Sequence, residues 1–216
     1  MTARPPLDLS LYLVTDTRLC GDRGVAATVG EAIAAGVSVV QLRDPDATDD
    51  EFVALGRAVV AEVRGQVPVL VDDRVHLVAA IGADGAHVGQ SDLAPLDARG
   101  LLGPDAYLGL SVQTLAHVET AHALPSGTVD YLGVGPVWAQ TTKPDAAEPC
   151  GVDGLSAIVQ ASPWRCVAIG GIGVDRAAAV SSTGAAGIAV VSAICGQPEV
   201  GRATQALRTA WDEARA

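Results

Sequence analysis

The chain has 216 residues, enough for one large domain, and a formal charge of −11 from 25 acidic and 14 basic side chains. That balance argues against a nucleic-acid partner, because such surfaces neutralise phosphates with Lys and Arg. Hydrophobic residues make up 49% of the chain and the mean hydropathy is +0.32, so a large core can be buried and disorder is excluded.

The first strand is predicted over Leu11–Thr15, followed by a helix over Val25–Ala35. A second strand over Val37–Arg43 leads to a helix over Asp49–Val63, where Thr48 and Glu51 stand at capping-box spacing. The third strand, Val67–Val71, precedes a helix over Arg74–Ile81; the fourth, Gly85–Val88, runs through an unassigned linker to the fifth, Tyr107–Ser111. A helix over Thr114–Ala123 then connects to the strand Asp130–Val134, and one over Asp153–Gln160 to the strand Cys166–Ile169. A helix over Asp175–Ser182, a last strand over Gly187–Val191 and a helix over Pro198–Ala214 end the chain. Asp153 and Asp175 are predicted N-caps, and Gly82 and Gly184 are predicted left-handed turns from helix to strand.

These strands are continuous apolar runs, as expected where a parallel sheet is covered on both faces. Eight strand–helix repeats predict a (β/α)8 barrel filling residues 1–216 as one domain. A doubly wound open sheet is the competitor, but the first strand ends in Thr15-Asp16-Thr17 without a Gly-rich phosphate loop.

In such barrels the chemistry gathers at the C-terminal ends of the strands. Asp72, Asp73 and Asp92 fall there on neighbouring strands, and together they suit a Mg²⁺ ion bound beside a phosphorylated substrate; helix capping and turn formation are the plainer reading. Thr141, Thr142 and Lys143 follow the sixth strand, and Lys143 is the chain's one lysine. Hydroxyls, backbone amides and an ammonium make an anion site, against the alternative of a solvated loop. Gly170-Gly171-Ile172 and Val191-Ser192 follow the last two strands, where these folds commonly cradle a phosphate on backbone amides. A short helix is predicted to start at Ser192. Two anion sites and a metal on one rim predict two phosphorylated small-molecule substrates.

The remaining candidates read as structural. His76, His87, His117 and His122 lack metal-ligand spacing and are expected on the surface or in the core. Trp138 is a candidate pocket wall or a core residue. The four cysteines are scattered without a C-x-x-C pair, so reduced thiols are expected and a cysteine nucleophile is not. No secretion-signal pattern or membrane-length apolar run is present, which predicts a cytoplasmic protein with no membrane partner.

Taken together, the stretches Leu11–Asp16, Val40-Gln-Leu-Arg43, Asp73-Arg74 and Gly82-Ala-Asp-Gly-Ala-His-Val-Gly-Gln-Ser-Asp92 resemble the thiamine phosphate synthase family. The likeness continues through Gly109-Leu-Ser111, Asp130-Tyr131, Gly133-Val-Gly-Pro136, Thr142-Lys143, Ala168-Ile-Gly-Gly-Ile172 and Val190-Val-Ser-Ala-Ile194. It implies a barrel that joins a pyrimidinylmethyl diphosphate to a thiazole phosphate and releases diphosphate. By position, Asp73 and Asp92 then correspond to Mg²⁺ ligands. Gln41, Arg43, Ser111 and Lys143 correspond to residues holding the pyrimidine diphosphate, and Thr142, Gly171, Val191 and Ser192 to residues holding the thiazole phosphate. Arg43, Ser111 and Lys143 are the implied catalytic set. The chain departs from the family pattern in having Pro45 for a Lys, Asp72 for an Asn and Gln140 for a Thr. A related tautomerase places a His in the segment that reads Ser111-Val112-Gln113 here, so its proton carrier is missing. A non-catalytic phosphate-binding barrel is the other alternative.

Overall fold

A computed structural model describes residues 5–140, 142 and 147–216. Eight strands run parallel, each hydrogen-bonded to the next in chain order, and β8 pairs with β1 to close the barrel. They are β1 (Leu11–Val14), β2 (Val39–Leu42), β3 (Val69–Asp72), β4 (Gly85–Val88), β5 (Tyr107–Val112), β6 (Tyr131–Val134), β7 (Arg165–Ile169) and β8 (Gly187–Val190). All eight predicted strands appear. Between them lie α1 (Thr17–Cys20), α2 (Val25–Ala34), α3 (Asp49–Val63), α4 (Val78–Ile81), α5 (Pro95–Leu102), α6 (Leu115–His122), α7 (Gly151–Ala161), α8 (Ala177–Ser181) and α9 (Val200–Glu213).

Alternation along the strands divides the core in two. Leu11, Leu13, Val40, Leu42, Val69 and Val71 pack outward with the helices in one cluster. Tyr12, Val14, Val39, Leu70, Tyr131, Val167 and Ala189 pack inside the barrel with Leu7 and Leu9. Because both faces are buried, the period of two is hidden and the strands read as solid apolar runs. α9 closes the ring with Trp211, which is 1% exposed. Trp211→Ala is expected to cost about 3–5 kcal/mol of stability, checked by urea unfolding, because the emptied volume cannot be refilled by its neighbours.

The local signals hold where geometry decides them. Thr48 and Glu51 close a capping box at the start of α3, and Gly82 and Gly184 take φ of 80° and 84°. Other expectations are corrected. Asp153 lies in the first turn of α7, whose cap position is Cys150. Asp175 lies in a 3-10 turn over Val174–Arg176 and carries no capping bond. The helix expected from Arg74 is split into a 3-10 turn, Val75–Leu77, and the four-residue α4. No helix starts at Ser192: the amides of Ile194 and Cys195 both donate to the Val191 carbonyl at 3.0 and 2.8 Å, closing two overlapping turns, and Gly196 takes φ 80°. α5 was not expected, since Ala98 is its one buried residue and Leu96 and Leu101 face solvent. Its visible signal is Pro95 in the first turn. Among the described residues, no helix is long and apolar enough to cross a membrane.

Candidate active site

An open pocket of about 1290 Å³ occupies the C-terminal mouth of the barrel. Twelve of the sequence candidates line it: Gln41, Arg43, Pro45, Asp72, Asp73, Asp92, Ser111, Gln140, Thr142, Gly171, Val191 and Ser192. Thr141 and Lys143 lie outside the described residues. The pocket divides into two edges and a floor.

The edge formed after β2, β3 and β4 is charged. Arg43 follows β2 directly, and its amide donates to Thr15 Oγ1 at 2.9 Å, which ties the residue to the end of β1. Its Nε lies 3.5 Å from Asp72 Oδ2, with both side chains 18% exposed. The extra carboxylate is therefore matched to the arginine. Asp73 takes φ 57°, a left-handed conformation unusual outside glycine. Its amide donates to the His87 carbonyl at 2.9 Å, and the cap position of the 3-10 turn beyond it is Arg74. Asp92 Oδ2 accepts the Gly89 amide at 2.7 Å, fixing the turn that brings the carboxylate back over β4. Among the described residues no group of three His, Cys, Asp or Glu side chains could hold a metal ion by itself. Two carboxylates on one pocket edge do suit Mg²⁺, which takes one or two carboxylates and completes its shell with water and phosphate oxygens.

The opposite edge, after β6, β7 and β8, is built from backbone. Gly170 and Gly171 take φ of 106° and 65°. A Cβ on Gly171 would stand 2.7 Å from the Ala139 carbonyl oxygen and 2.9 Å from Trp138 Cβ. Only glycine lets these strand ends pack so closely and still turn toward the mouth. Arg176 donates to the Gly171 carbonyl and lies 4.8 Å above the Trp138 ring. Trp138 is thus a packing partner for Arg176, while Arg176 itself lines the pocket. Sequence reasoning passed over this cation, which sits five residues beyond Gly171. Thr142 Oγ1 donates to Gln140 Oε1 at 2.9 Å, so the Gln that departs from the family pattern braces its neighbour.

Polar side chains pointing into the barrel make the floor. Ser111 Oγ lies 2.8 Å from His87 Nε2, and His87 Nδ1 lies 2.8 Å from the Tyr131 hydroxyl. Tyr131 and Tyr12 hydroxyls are 2.8 Å apart, and Gln41 Nε2 donates to Tyr12 at 3.0 Å. His87, expected on the surface or in the core, is buried in the barrel and also lines the pocket. Burial pushes the Tyr12 and Tyr131 hydroxyl pKa values up, so both stay protonated at neutral pH. All four cysteines are free thiols, and none of them lines the pocket. The Cys195 thiol, hydrogen-bonded to Cys20, holds Cys20 down at about 6 while its own pKa is pushed up.

The chain matches a family model described as thiamine monophosphate synthase over residues 11–194. It is 45% identical over 211 residues to a thiamine-phosphate synthase of Azorhizobium caulinodans, covering 97% of this chain and 98% of the relative. It is 46% identical over 199 residues to one from a Psychrobacter species, covering 92% and 93%. A solved thiamine phosphate pyrophosphorylase from Pyrococcus furiosus superposes with a TM-score of 0.85 at 33% identity, covering 97% of this chain and 98% of that one. With a match running nearly end to end, this chain belongs to the thiamine monophosphate synthase family.

Proposed function

We propose that the protein joins a pyrimidinylmethyl diphosphate to a thiazole phosphate, forming thiamine phosphate and releasing diphosphate. The observation that carries this reading is the division of one pocket into a charged edge and a backbone-amide edge facing each other across a polar floor. A diphosphate suits the first edge. A phosphate monoester suits the second, where glycines clear the approach to the backbone. The phosphorylated substrates cannot cross a bilayer, which supports a cytoplasmic location.

On this reading Arg43 neutralises charge developing on the departing diphosphate, and Lys143 is assigned the same task from its place in the family motif. Asp73 and Asp92 would hold Mg²⁺, which when bound supplies further positive charge to the leaving group. The C–O bond to the pyrimidinylmethyl carbon breaks with its electron pair passing to the diphosphate. The aminopyrimidine delocalises the positive charge left behind, and the thiazole nitrogen donates its lone pair to form the new C–N bond. No proton is moved, so no residue has to act as a base. Gly171, Val191 and Ser192, with Arg176 behind them, hold the thiazole phosphate so that its ring nitrogen stays within reach. Gln113 lines the pocket where a tautomerase would need a titrating group, which leaves that alternative without support.

The reading is tested by mixing the protein with both substrates and Mg²⁺ and oxidising any thiamine phosphate to fluorescent thiochrome. Fluorescence that requires both substrates is expected; none with fully folded protein would refute the reading. A second expectation follows from the Arg43–Asp72 pair. Asp72 draws on the charge Arg43 offers, and Pro45, which also lines the pocket, supplies none. Asp72→Asn combined with Pro45→Lys is therefore expected to lower KM for the pyrimidine diphosphate at limiting Mg²⁺, with a smaller gain at saturation. KM for the thiazole phosphate, bound across the barrel, should not move. Equal constants for parent and double variant across a Mg²⁺ series would mean that these positions do not face the diphosphate.

A further inference from the structure

Four links join Ser111, His87, Tyr131, Tyr12 and Gln41 into one chain across the barrel. Its two ends, Ser111 and Gln41, line the pocket together with His87 and Tyr12, while the two tyrosines are each 1% exposed and Tyr131 lies beneath the pocket. The fold makes room for it. A Cβ on Gly109 of β5 would stand 2.3 Å from His87 Nδ1 and 2.4 Å from the Tyr131 hydroxyl oxygen, and one on Gly133 of β6 would stand 2.8 Å from His87 Cε1. Two adjacent strands thus give up an inward side chain where the chain passes.

Each member has one proton to give along the chain, so the direction of one bond sets the next. Gln41 donates through Nε2 to Tyr12, which commits the Tyr12 proton to Tyr131. Tyr131 must then donate to His87 Nδ1, which puts the proton of the neutral imidazole on Nε2 and directs it at Ser111 Oγ. The Ser111 proton is left for the pocket, and Gln41 keeps Oε1 as the atom not spent on Tyr12. Turning the Gln41 amide over would reverse all four bonds, making Ser111 an acceptor and Gln41 a donor. The ends are coupled and of opposite character.

We propose that this buried chain makes His87, Tyr131 and Tyr12 positioning residues that set the pocket to read a 4-aminopyrimidine and reject its 4-oxo analogue. The proposal rests on the synthase reading above. An exocyclic amine donates while the ring nitrogen beside it accepts, which matches Gln41 Oε1 and the Ser111 hydroxyl. The 4-oxo form, with a carbonyl beside a ring N–H, presents the reverse pattern, which is met only by turning the Gln41 amide away from its donation to Tyr12 and reversing all four bonds together. A merely structural role for the tyrosines would weaken both pyrimidines alike.

Two measurements test the idea. In the parent protein bound to thiamine phosphate, ¹⁵N–¹H correlation spectra of the histidine rings should show His87 as the Nε2–H tautomer; the Nδ1–H tautomer would overturn the proposal. Tyr131→Phe and, separately, Tyr12→Phe each break the chain and free its ends to turn independently. The ratio of kcat/KM for the amino substrate over the oxo analogue is expected to fall about tenfold in each, mainly through KM. Folded variants that keep the parent ratio would also overturn it. If a variant does not fold, the tautomer in the parent decides alone. Failure of the parent to make thiamine phosphate from the amino substrate would instead remove the synthase reading, and with it the substrate assignment.

Discussion

Replacing Asp73 with asparagine is expected to reduce thiamine phosphate formation by about a thousandfold, and chelating divalent cations from the parent protein should do the same. Asparagine is the right replacement because Asp73 sits at φ 57°. Asn tolerates the left-handed region almost as well as Asp, so the backbone is kept and only the charge is lost. Alanine would add strain and confuse the cause. The diphosphate carries several negative charges into an edge where Arg43 is already paired with Asp72. Without a cation held at Asp73 and Asp92, that edge would repel its substrate. Steady-state rates with and without excess EDTA check this, and parent-like rates in EDTA would take the metal out of the mechanism.

The opposite edge supplies the second large effect. Gly171→Ala is expected to raise KM for the thiazole phosphate tenfold or more while KM for the pyrimidine diphosphate stays within about twofold. The φ of 65° at Gly171 costs about 1–2 kcal/mol for any residue with a Cβ. The added carbon would also stand 2.7 Å from the Ala139 carbonyl oxygen, so the turn must open. Arg176, bonded to the Gly171 carbonyl, would shift with it. Measuring both constants in one variant separates the two edges. Equal rises in both would mean that Gly171 serves the barrel as a whole rather than one substrate.

These two expectations rest on residues that the sequence reveals in different ways. Asp73 and the glycines follow apolar runs directly and Asp92 comes within one turn of another, so placing the strands also places them at the mouth. The floor was not legible in the same way. Tyr12, His87 and Tyr131 lie within strands, where an aromatic or a lone histidine reads as core, and here they are buried. Their hydrogen bonds join positions 44 and 119 residues apart, and no local pattern encodes that. Only the inward register of β1, β4 and β6, with the missing side chains of Gly109 and Gly133, brings them together. Arg176 was hidden for a related reason: its guanidinium reaches back to Gly171 and Trp138 from a turn whose own sequence resembles an ordinary helix start. No helix runs from Ser192 because Val191 accepts two amides at once and Gly196, with φ 80°, leaves the helical conformation within the next turn, which the Gln197 amide closes on Ile194. α5 leaves no apolar period in the sequence because it buries almost nothing, and periodicity reports burial rather than helicity.

If one pocket holds a diphosphate and a phosphate monoester, only the first is expected to depart. Phosphorus-31 NMR of the protein with both substrates and Mg²⁺ reads this directly. The diphosphate-ester signals should be replaced by inorganic diphosphate in step with product, while a phosphate monoester signal persists in equal amount and no orthophosphate appears. Release of orthophosphate, or an unchanged spectrum with folded protein, would contradict the account.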